Sequence, residues 1–593
     1  MRKTILVLIM ACCFRSFAQS SGNNLPATDA LGRKLPAFQE VGASKKNKFV
    51  GLFYWTWHTS QAKDKPPLNV TEYLARDPKA KEDFNNPIWP KTQGPFFWGE
   101  PLFGYYLDTD QWVLRKHAEM LADAGVDVII FDCTNGNITW KESYMAVCKA
   151  FTKARADGVK TPQIAFLLPF ANTPGGKEII HEIYTDLYKP GLYKDMWFIW
   201  KGKPLIMAFP ETVEDANGSA ENIRLNHEIR NFFTFRPGQP VYNKGPERPD
   251  NWGWLEIYPQ HGFVKKSDGT FEQATVGVAQ NWSKERGLTA MNAPGSFGRS
   301  YTSKKGQITD LNAVNAGFNF QEQWDRALEI DPEFIFITGW NEWIAGRYQE
   351  WGKQSNAFPD EFNQEGSRDV EPMKGGHGDN YYYQMINNIR RFKGMPATES
   401  SSGPLSIVID GNFQEWEKVK PSFTSYKGNT LHRNSPGWGS TQYVNTSGRN
   451  DIVLAKVSRN ENYVFFYVET ANPLSPKTDP AWMQLFIDAD RNKNTGWEGY
   501  DFVINRVTAG KKAIIEKTEA GWNWKKVAEI DYAVKGNKLE IKIPRSLLSQ
   551  TDDLDFEFKW SDNMQQQNNI MDFWVNGDVA PAGRFNFNYK SSN

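Results

Sequence analysis

Three acidic residues are candidates for chemistry: two follow predicted β-strands, and the third lies inside one. Glu342 follows the buried-type run Phe334–Ile337, inside the segment GWNEW, and Asp132 follows the run Val128–Phe131. Glu256 lies among Trp, Leu, Ile and Tyr, whose apolar side chains are expected to raise its pKa. Two carboxyl groups with different pKa values can act as general acid and general base, so these three residues are the candidate catalytic groups.

Two further acids, Glu211 and Glu350, also follow predicted strands and come next as candidates. For Asp132, Glu256, Glu211 and Glu350 the alternatives are a helix cap, a solvated carboxylate or a structural ion pair, and for Glu342 the alternative is a solvated carboxylate. The sequence therefore identifies candidate carboxylates but does not indicate which two of them act together.

Flat aromatic and polar side chains surround the candidate acids in the sequence. The chain has 23 Trp and 14% aromatic residues, although its mean hydropathy is −0.59. Indole rings stack on the C–H faces of sugars, while core packing is the alternative for most of them. The candidate substrate-binding residues are Trp55, Trp57, His58, Trp340, Asn341, Trp343, Arg368 and His377.

The loop that contains Arg368 and His377 is rich in charge and glycine. Arg368 or Lys374 could meet an acidic sugar or a sulfate, whereas simple solvation is the alternative for the loop. For His58 the alternative is a hydrogen-bonded core histidine.

Alternating strand and helix signals over residues 45–395 predict a (β/α)8 barrel of the TIM type. Helices are predicted over Thr109–Ala124 and Phe320–Ile330. The predicted strands are Phe49–Trp57, Asp127–Asp132, Gln163–Phe170, Pro204–Phe209, Phe232–Phe235, Trp254–Tyr258, Thr275–Gln280 and Phe334–Ile337. In such a barrel the carboxyl ends of the strands carry the active site.

Residues 396–404, PATESSSGP, have the composition of a linker, and the character of the chain changes after them. Short alternating runs separated by turn residues predict an all-β sandwich over residues 405–593. Within it, oxygen-bearing side chains at every second position predict a structural calcium site, with an Asx-rich turn as the alternative. Those side chains belong to Asp488, Asp490, Asn492 and Asn494. Trp482, Trp497 and Trp574 are candidates for glycan stacking or for the core of the sandwich.

The N-terminus predicts export from the cytoplasm. Arg2 and Lys3 precede the apolar run Ile5–Phe14, and Ser16-Phe17-Ala18 fits a signal peptide that occupies residues 1–18. The alternative is a lipid anchor on Cys12. Either reading places the protein in the periplasm, outside the cell or on the cell surface.

Charge and motifs exclude several classes of function. The formal net charge is zero and the pI is near 7.1, so nucleic acid is not an expected partner. No later apolar stretch is long enough to span a bilayer. No G-x-S-x-G elbow, HExxH zinc motif or cysteine cluster is present, and no cofactor is expected for catalysis. Cys133 and Cys148 are expected to be free and buried, with a disulfide as the alternative.

Residues Lys48–Lys393 resemble the Bacteroidetes-type barrels related to glycoside hydrolase families 71 and 99 and to the WbsX-like group. The matching segments are FVGLFYWTWH, DTDQWVLRKHAEMLADAGVDVIIFDCTNG and GWNEW. Residues from Leu405 onward resemble a family 9 carbohydrate-binding-like module, through IDGNFQEWEKV and FIDADRNKNTGWEGYDF. The resemblance implies a polysaccharide or oligosaccharide as the partner.

One position departs from the family 99 pattern, in which a Glu-Trp-x-Glu motif supplies both acids. Glu342 and Trp343 match its first half, but Ala345 stands where the second acid is expected. The function predicted is a secreted glycoside hydrolase whose second carboxylate comes from elsewhere in the chain. The alternative is a non-catalytic glycan-binding protein with a degenerate barrel.

Overall fold

The computed structural model describes residues 24–59, 65–91, 95–214, 218–310, 312–549 and 553–591. The longer strands of the N-terminal part are β1 Phe49–Tyr54, β2 Val128–Asp132, β3 Gln163–Leu167, β4 Lys203–Ile206, β5 Phe271–Gly277 and β6 Phe334–Thr338. Five of them form a parallel sheet in the order β5-β6-β1-β2-β3. Phe49 pairs with Phe334, and Gly51 pairs with Val128.

Parallel pairing continues beyond β3 through shorter contacts. Leu167 forms a parallel bridge with Met207, and β4 pairs with Thr234–Phe235. Gly238–Gln239 pairs with Trp252–Gly253. The amide of Gln273 in β5 hydrogen-bonds both the N–H and the C=O of Gly253, each at 2.9 Å. These contacts link the strands in chain order.

Helices alternate with the strands, as the sequence predicts. They are α1 Gln111–Ala124, α2 Lys141–Ala156, α3 Pro174–Ile183, α4 Ala220–Phe232, α5 Phe318–Ile330 and α6 Asn380–Lys393. The α1 helix begins at an Asp110 cap and ends at Gly125, whose φ of 78° suits a residue without a Cβ. Strand ends are less accurate in the prediction: the expected strand Trp254–Tyr258 is instead Trp252–Gly253.

Alternate residues of the parallel strands pack on opposite faces, because side chains in a strand alternate with a period of two. Phe53, Ile130 and Leu167 share one buried cluster. Leu52 and Ile129, one residue away, lie in the cluster that contains the helices. Because Trp55 follows Phe53 at this spacing, it continues the first face beyond the end of β1.

The C-terminal part is an antiparallel sheet of eleven strands. They are β7 Phe423–Thr424, β8 Ile452–Arg459, β9 Tyr463–Thr470, β10 Gln484–Asp488, β11 Phe502–Ala509, β12 Lys512–Lys517, β13 Lys525–Lys535, β14 Lys538–Pro544, β15 Asp555–Asp562, β16 Asp578–Ala580 and β17 Phe587–Lys590. Phe466 in β9 and Phe558 in β15 contact each other at 5.5 Å, although their strands are not sheet neighbours. The sheet therefore folds back on itself around an aromatic core. The short alternating run at residues 406–409 does not form a regular strand.

Shorter elements connect these strands and helices. The short helices are Phe38–Val41, Val70–Arg76, Pro78–Lys81, Tyr184–Tyr188, Lys194–Met196, Pro210–Val213, Ala313–Ala316, Phe413–Lys418, Arg545–Leu548 and Asp572–Val575. The short strands not yet named are Phe96–Phe97, Ile199–Trp200, Phe263–Lys265, Trp282–Ser283, Gly287–Leu288, Tyr301–Thr302, Gly306–Gln307, Ile344–Ala345, Tyr348–Trp351, Gln354–Ala357, Arg433–Pro436 and Gln442–Asn445.

Candidate functional site

A cavity of about 860 Å³, called here the main cavity, opens at the carboxyl ends of the parallel strands. Part of its lining comes from residues at or just after the ends of β1, β2, β3 and β6, and the rest comes from loops. Nine of the 23 lining residues are aromatic, and the charged residues among the lining are Asp132, Glu342, Arg347, Asp360 and Arg368. Apolar walls with a few converging polar groups are typical of a site for an organic ligand.

Three tryptophans form a row of tilted ring contacts along one wall. The ring centroids of Trp55 and Trp57 are 4.3 Å apart, and those of Trp57 and Trp140 are 5.2 Å apart. None of the three indole N–H groups finds a hydrogen-bond partner among the residues that the structure describes. Trp140 also adopts a left-handed backbone, with φ of 54°, which is unfavourable for a side chain of this size. The wall therefore offers flat apolar faces together with unsatisfied donors.

Glu342 is buried, with 2% of its surface exposed, and lies beside a guanidinium group. Arg368 Nη2 is 3.2 Å from its Oε1 and 3.1 Å from its Oε2. Burial, together with the neighbouring carboxylates of Asp360, Asp369 and Asp132, holds the pKa of Glu342 well above its ordinary value, although the Arg368 charge acts in the opposite direction. The environment therefore favours the protonated form of this carboxyl group.

Asp132 is fully buried at the end of β2. Its Oδ1 accepts a hydrogen bond from the Thr134 N–H at 3.1 Å. Its Oδ2 has no partner within the described part of the chain. Burial is the main cause that raises the pKa of Asp132 to about 6. An unpaired buried carboxylate oxygen is costly, and a ligand that donates a proton or a hydrogen bond would remove that cost.

More carboxyl groups than guanidinium groups meet around Arg368. Asp360 Oδ1 lies 3.4 Å from Arg368 Nη2, and Glu361 Oε1 lies 3.5 Å from Nε. Asp369 accepts a hydrogen bond from the backbone N–H of Glu342 at 2.6 Å, and burial raises its pKa to about 7. Like charges at this density favour protonation of some of these acids. The cluster therefore has the electrostatics of an acid and base site.

The turn after β6 presents Glu342 to the cavity. Gly339 has φ of 113°, and a Cβ there would lie 2.3 Å from the Arg368 carbonyl oxygen, so the turn requires glycine. Asn341 is fully buried. Its amide accepts from the Trp55 N–H at 2.8 Å and donates to the Trp55 C=O at 3.1 Å. The amide thereby fixes the end of β1 beside the turn.

The structure places Glu342, Asp132, Trp55, Trp57 and Arg368 of the predicted site residues on the main cavity. The other six predicted residues do not line it. They are Glu256, His58, Trp340, Asn341, Trp343 and His377. Both groups are buried or nearly so, and the difference between them lies in the direction of their side chains.

Glu256 lies behind the cavity wall and interacts with one histidine. It accepts the His261 N–H at 2.9 Å, and His261 Nδ1 lies 2.8 Å from its other oxygen. Burial raises the pKa of Glu256, as the sequence predicts, and the His261 contact opposes that shift. This is the arrangement of the structural ion pair that stood as its alternative.

His58 is a core histidine in this structure. Its Nε2 lies 2.8 Å from the Asn341 carbonyl oxygen, and its ring stacks on Tyr106 at 5.1 Å. Burial lowers the pKa of His58 to about 4, so the ring is neutral. The geometry matches the alternative reading of this residue.

The remaining predicted residues pack beneath the turn. Trp343 stacks on Trp98 at 4.4 Å and donates its indole N–H to Glu371. Trp340 makes an edge contact with the ring of His117 at 5.5 Å. His377 is 1% exposed, and burial lowers its pKa well below the ordinary value. These side chains support the turn and do not reach the cavity.

The loop with Arg368 is largely buried, contrary to the alternative that solvation explains its charges. Arg368, Asp369, Glu371, His377 and Asp379 are each at most 1% exposed. Lys374 is the exception: its side chain is 66% exposed and pairs with Glu100 at 3.1 Å. Of the two next acid candidates, Glu350 is exposed in the short strand Tyr348–Trp351. Glu211 pairs with Arg248 at 2.8 Å.

Several cavity residues are not predicted from the sequence. Asp360 and Arg347 come from the long excursion after β6, Trp140 from the loop after β2, and Tyr242 and Trp254 from segments with little regular structure. Trp254 contacts Phe53 at 5.8 Å. The apolar run around Trp254 was therefore a sequence feature from which its place beside the β1 strand could be expected. For the others the sequence offers only residue type, because a long loop does not indicate which side chain turns inward.

The candidate calcium ligands are only partly brought together. Carboxylate oxygens of Asp488, Asp490 and Asp501 lie within 4.8 Å of one another, and Asp501 is not among the predicted ligands. Burial and the neighbouring carboxylates raise the pKa of Asp488 to about 8. Asn492 Oδ1 accepts the backbone N–H of Asn494 at 3.1 Å, as in an Asx turn. The calcium site stays a prediction.

The C-terminal tryptophans named as stacking candidates belong to the core. Trp482, Trp497 and Trp574 are exposed by 3% or less. Trp574 donates its indole N–H to Asp379 at 3.1 Å, which joins the two parts of the chain. Cys133 and Cys148 are buried and unbridged.

The predicted signal peptide and Cys12 lie outside the described residues. Within the described ranges, no helix is both long and apolar enough to cross a membrane. Export and lipid anchoring therefore stay predictions.

Comparison with known proteins gives weak similarities. No family model and no curated protein matches the chain. A solved structure of the GH99 endo-alpha-mannosidase from Bacteroides thetaiotaomicron is similar with a TM-score of 0.35 and 14% identity, over 58% of this chain and 97% of that chain. A glycoside hydrolase-like protein gives a TM-score of 0.32 and 11% identity, over 59% of this chain and 96% of that chain.

A carbohydrate-binding module is a further weak structural neighbour. A family 9 carbohydrate-binding module from Caldicellulosiruptor kristjanssonii, solved with cellotriose, gives a TM-score of 0.16 and 13% identity. The similarity covers 27% of this chain and 74% of that chain. At these TM-scores no function passes from the neighbours to this chain.

Proposed function

We propose that this protein is a glycoside hydrolase that binds a glycan in the main cavity and cleaves it with two carboxyl groups. The observation that carries the proposal is that Glu342 and Asp132, both buried and both with raised pKa values, line one tryptophan-walled cavity. Hydrolysis of a glycosidic bond needs one protonated and one ionised carboxyl group beside that bond.

The two acids suit different roles. The pKa of Glu342 is held well above its ordinary value, so this group is the proton donor to the leaving oxygen. The pKa of Asp132 is about 6, so this group is mainly ionised at neutral pH and serves as base or nucleophile. Its buried Oδ2 has no partner among the described residues, and a bound sugar or water would supply one. Asp132 thus supplies the second carboxylate that Ala345 cannot.

The aromatic wall supplies binding and orientation. Trp55, Trp57 and Trp140 present stacked faces to sugar C–H groups, and their free N–H groups can donate to hydroxyl or ring oxygens. Arg368 contacts Glu342 and stabilises the carboxylate that proton donation leaves behind.

We further propose the architecture that suits this activity. The strand order supports an eight-stranded α/β barrel over residues 45–395, closed by Trp252–Gly253 against β5. After the linker 396–404, the antiparallel sheet of residues 405–593 forms a two-layered β-sandwich in which β13 pairs with β12 and then with β14. An exported enzyme of this kind would act on extracellular or periplasmic polysaccharide.

The test compares the wild type with Glu342→Gln and Asp132→Asn on a panel of plant and host polysaccharides. Released reducing ends are measured. Because general acid and base groups contribute factors of about 100 or more, each variant is expected to lose at least about 100-fold in rate. Glu329→Gln, an exposed acid on α5, is the matched control and keeps full activity.

Two results would count against this assignment. Full activity of either variant removes that residue from the chemistry. Wild-type protein that binds a glycan tightly and releases no reducing ends favours the non-catalytic glycan-binding function instead.

A further inference from the structure

Arg347 is a cation in the wall of the main cavity. The roles proposed for Glu342 and Asp132 do not explain its presence there. It lies just after the short strand Ile344–Ala345 and is 5% exposed. It lines the cavity together with its neighbours Gly346 and Tyr348. Its charge is therefore buried beside the space that a ligand would fill.

The guanidinium group is held in a fixed orientation. Its centre lies 4.2 Å from the ring centroid of Phe84 and 4.6 Å from that of Trp89. Nε donates to Asn356 Oδ1 at 2.7 Å, and Nη2 donates to the Phe84 carbonyl oxygen. Nη1 makes no hydrogen bond with the residues described. A planar group fixed in this way with one free donor edge is preorganised to bind an anion.

No carboxylate in the described ranges forms a direct ion pair with this charge. Arg368 pairs with Glu342 at 3.1 Å, whereas Arg347 has no carboxylate oxygen within 4 Å in the described ranges. Burial lowers the pKa of Arg347 to about 10, and only Asp83 acts in the opposite direction. A buried cation without a counter-ion is costly, and an anionic ligand would offset that cost.

We propose that Arg347 forms an anion-binding subsite of the main cavity, and that the glycan it takes carries an acidic group, a uronic carboxylate or a sulfate ester. The subsite deepens the proposed function and rests on it only in placing a glycan in the same cavity. Catalysis by Glu342 and Asp132 is not needed for this binding.

The alternative is that Arg347 only braces the cavity wall against Phe84 and Trp89. A brace and a subsite differ in one measurable respect. Loss of a brace weakens every ligand of the cavity equally, whereas loss of the subsite weakens acidic glycans alone.

Affinity gel electrophoresis separates these cases, with polygalacturonate, chondroitin sulfate and neutral galactomannan as probes. Wild-type protein is expected to bind at least one acidic polymer, and Arg347→Gln to bind that polymer at least about 10-fold more weakly. Binding of galactomannan should not change. Arg347→Lys keeps the charge without the planar fork and should lose less affinity than Arg347→Gln. Polygalacturonate carries carboxylates alone, whereas chondroitin sulfate carries both carboxylates and sulfate esters, so unsulfated chondroitin is the further probe that distinguishes carboxylate from sulfate.

The control is Lys189→Gln, which removes one exposed positive charge and leaves the cavity intact. Its binding should match that of the wild type. Wild type that binds neither acidic polymer overturns the proposal. An equal loss by Arg347→Gln and Lys189→Gln, or an equal loss for acidic and neutral polymers, also overturns it.

Two further measurements keep the outcome interpretable. If circular dichroism shows that Arg347→Gln is unfolded, a competition experiment on the wild type replaces the variant. Sodium sulfate and sodium glucuronate are then tested as competitors of acidic-polymer binding at matched ionic strength. Failure of both salts to compete overturns the subsite. Glu342→Gln should retain binding that depends on Arg347. A variant that loses hydrolysis but still binds acidic polymers therefore shows that the anion-binding subsite and the hydrolase assignment can fail independently.

Discussion

Asp132 shows at the scale of one residue how the fold accepts a cost in the candidate site. A carboxyl group with no exposed surface and one unpaired oxygen is destabilising when it ionises. Its pKa of about 6 in the fold compares with an ordinary value of 3.8. The folded state therefore holds the proton more tightly than the unfolded chain does.

This difference gives a sign for stability against pH. Between about pH 4 and pH 6 the unfolded chain releases the Asp132 proton before the folded protein does, so stability falls as pH rises through this window. Asp132→Asn does not titrate. The variant is expected to be more stable than the wild type by about 3 kcal/mol above pH 7 and to lose this advantage near pH 4.

Chemical unfolding at pH 4, 5, 6 and 7.5 measures this effect for the wild type and Asp132→Asn. Glu329→Gln serves as the control, because an exposed acid has little effect on stability at any of these pH values. A constant difference between wild type and Asp132→Asn across the four pH values would contradict the assigned pKa.

The residue scale also shows what the sequence can predict about the site. Position after a strand is sufficient to place Asp132, Glu342 and Trp55 on the cavity. It is insufficient for His58, because the sequence does not show whether a side chain beyond the strand end turns toward the cavity or toward the core. Arg347 was out of reach for a different reason, since its environment is built by Phe84 and Trp89, more than 250 positions away in the chain.

At the scale of the element, the turn after β6 determines where the Glu342 carboxylate lies. Gly339 allows the close approach of the Arg368 backbone, and Asn341 fastens the turn to Trp55. Glu342 and Arg368 then face each other because both of their backbones are held by the same turn. Position of the acid thus depends on a glycine that carries no chemistry.

Gly339→Ala tests this dependence. A Cβ would clash with the Arg368 carbonyl oxygen at 2.3 Å, and φ of 113° is strained for alanine. The variant is expected to lose about 3 kcal/mol of stability or more and at least about 10-fold in activity. Urea unfolding and release of reducing ends are the measurements.

Gly403→Ala is the matched control, because a Cβ there meets nothing within 4 Å and the residue lies outside the strained region. It should be neutral or slightly stabilising. Equal behaviour of the two alanine variants would show that the turn tolerates a side chain and that the geometry of Glu342 does not depend on glycine.

Elements themselves follow the sequence where the pattern is local. The α1 helix is predicted within two residues of its start, since its Asp110 cap and Gly125 stop are sequence signals. Strand β13, Lys525–Lys535, is not predicted. Its residues alternate weakly and are mostly exposed or half-buried, so its pairing with β12 and β14 decides the structure more than its own composition does.

At the scale of the whole molecule, buried ion pairs join the two parts of the chain. Arg433 lies 2.7 Å from Asp110, which also caps α1. Arg584 lies 2.9 Å from Asp379, which immediately precedes α6. These contacts connect the C-terminal part to α1 and to the residue that precedes α6. We expect the C-terminal part to support the cavity through these helices, whether or not it binds glycan.

Replacement of Asp379 tests that support most directly. It is 1% exposed, and it accepts from Arg584 and from the Trp574 indole. Asp379→Ala leaves the buried Arg584 guanidinium with Glu498 as its remaining carboxylate at 3.0 Å. Because removal of one partner of a buried pair typically costs 3–5 kcal/mol, we expect a loss of about 3 kcal/mol, and a lower rate from a loosened cavity.

Urea unfolding followed by tryptophan fluorescence measures the loss, and Glu399→Ala is the control. Glu399 pairs with Lys420 at 2.8 Å, but both side chains are at least half exposed, so this pair should contribute less than about 1 kcal/mol. If the two variants lose equal stability, the buried pair is no stronger than a surface pair. In that case the C-terminal part is held to the parallel strands by apolar packing, and the support for the cavity must come from contacts such as Tyr382 with Phe585.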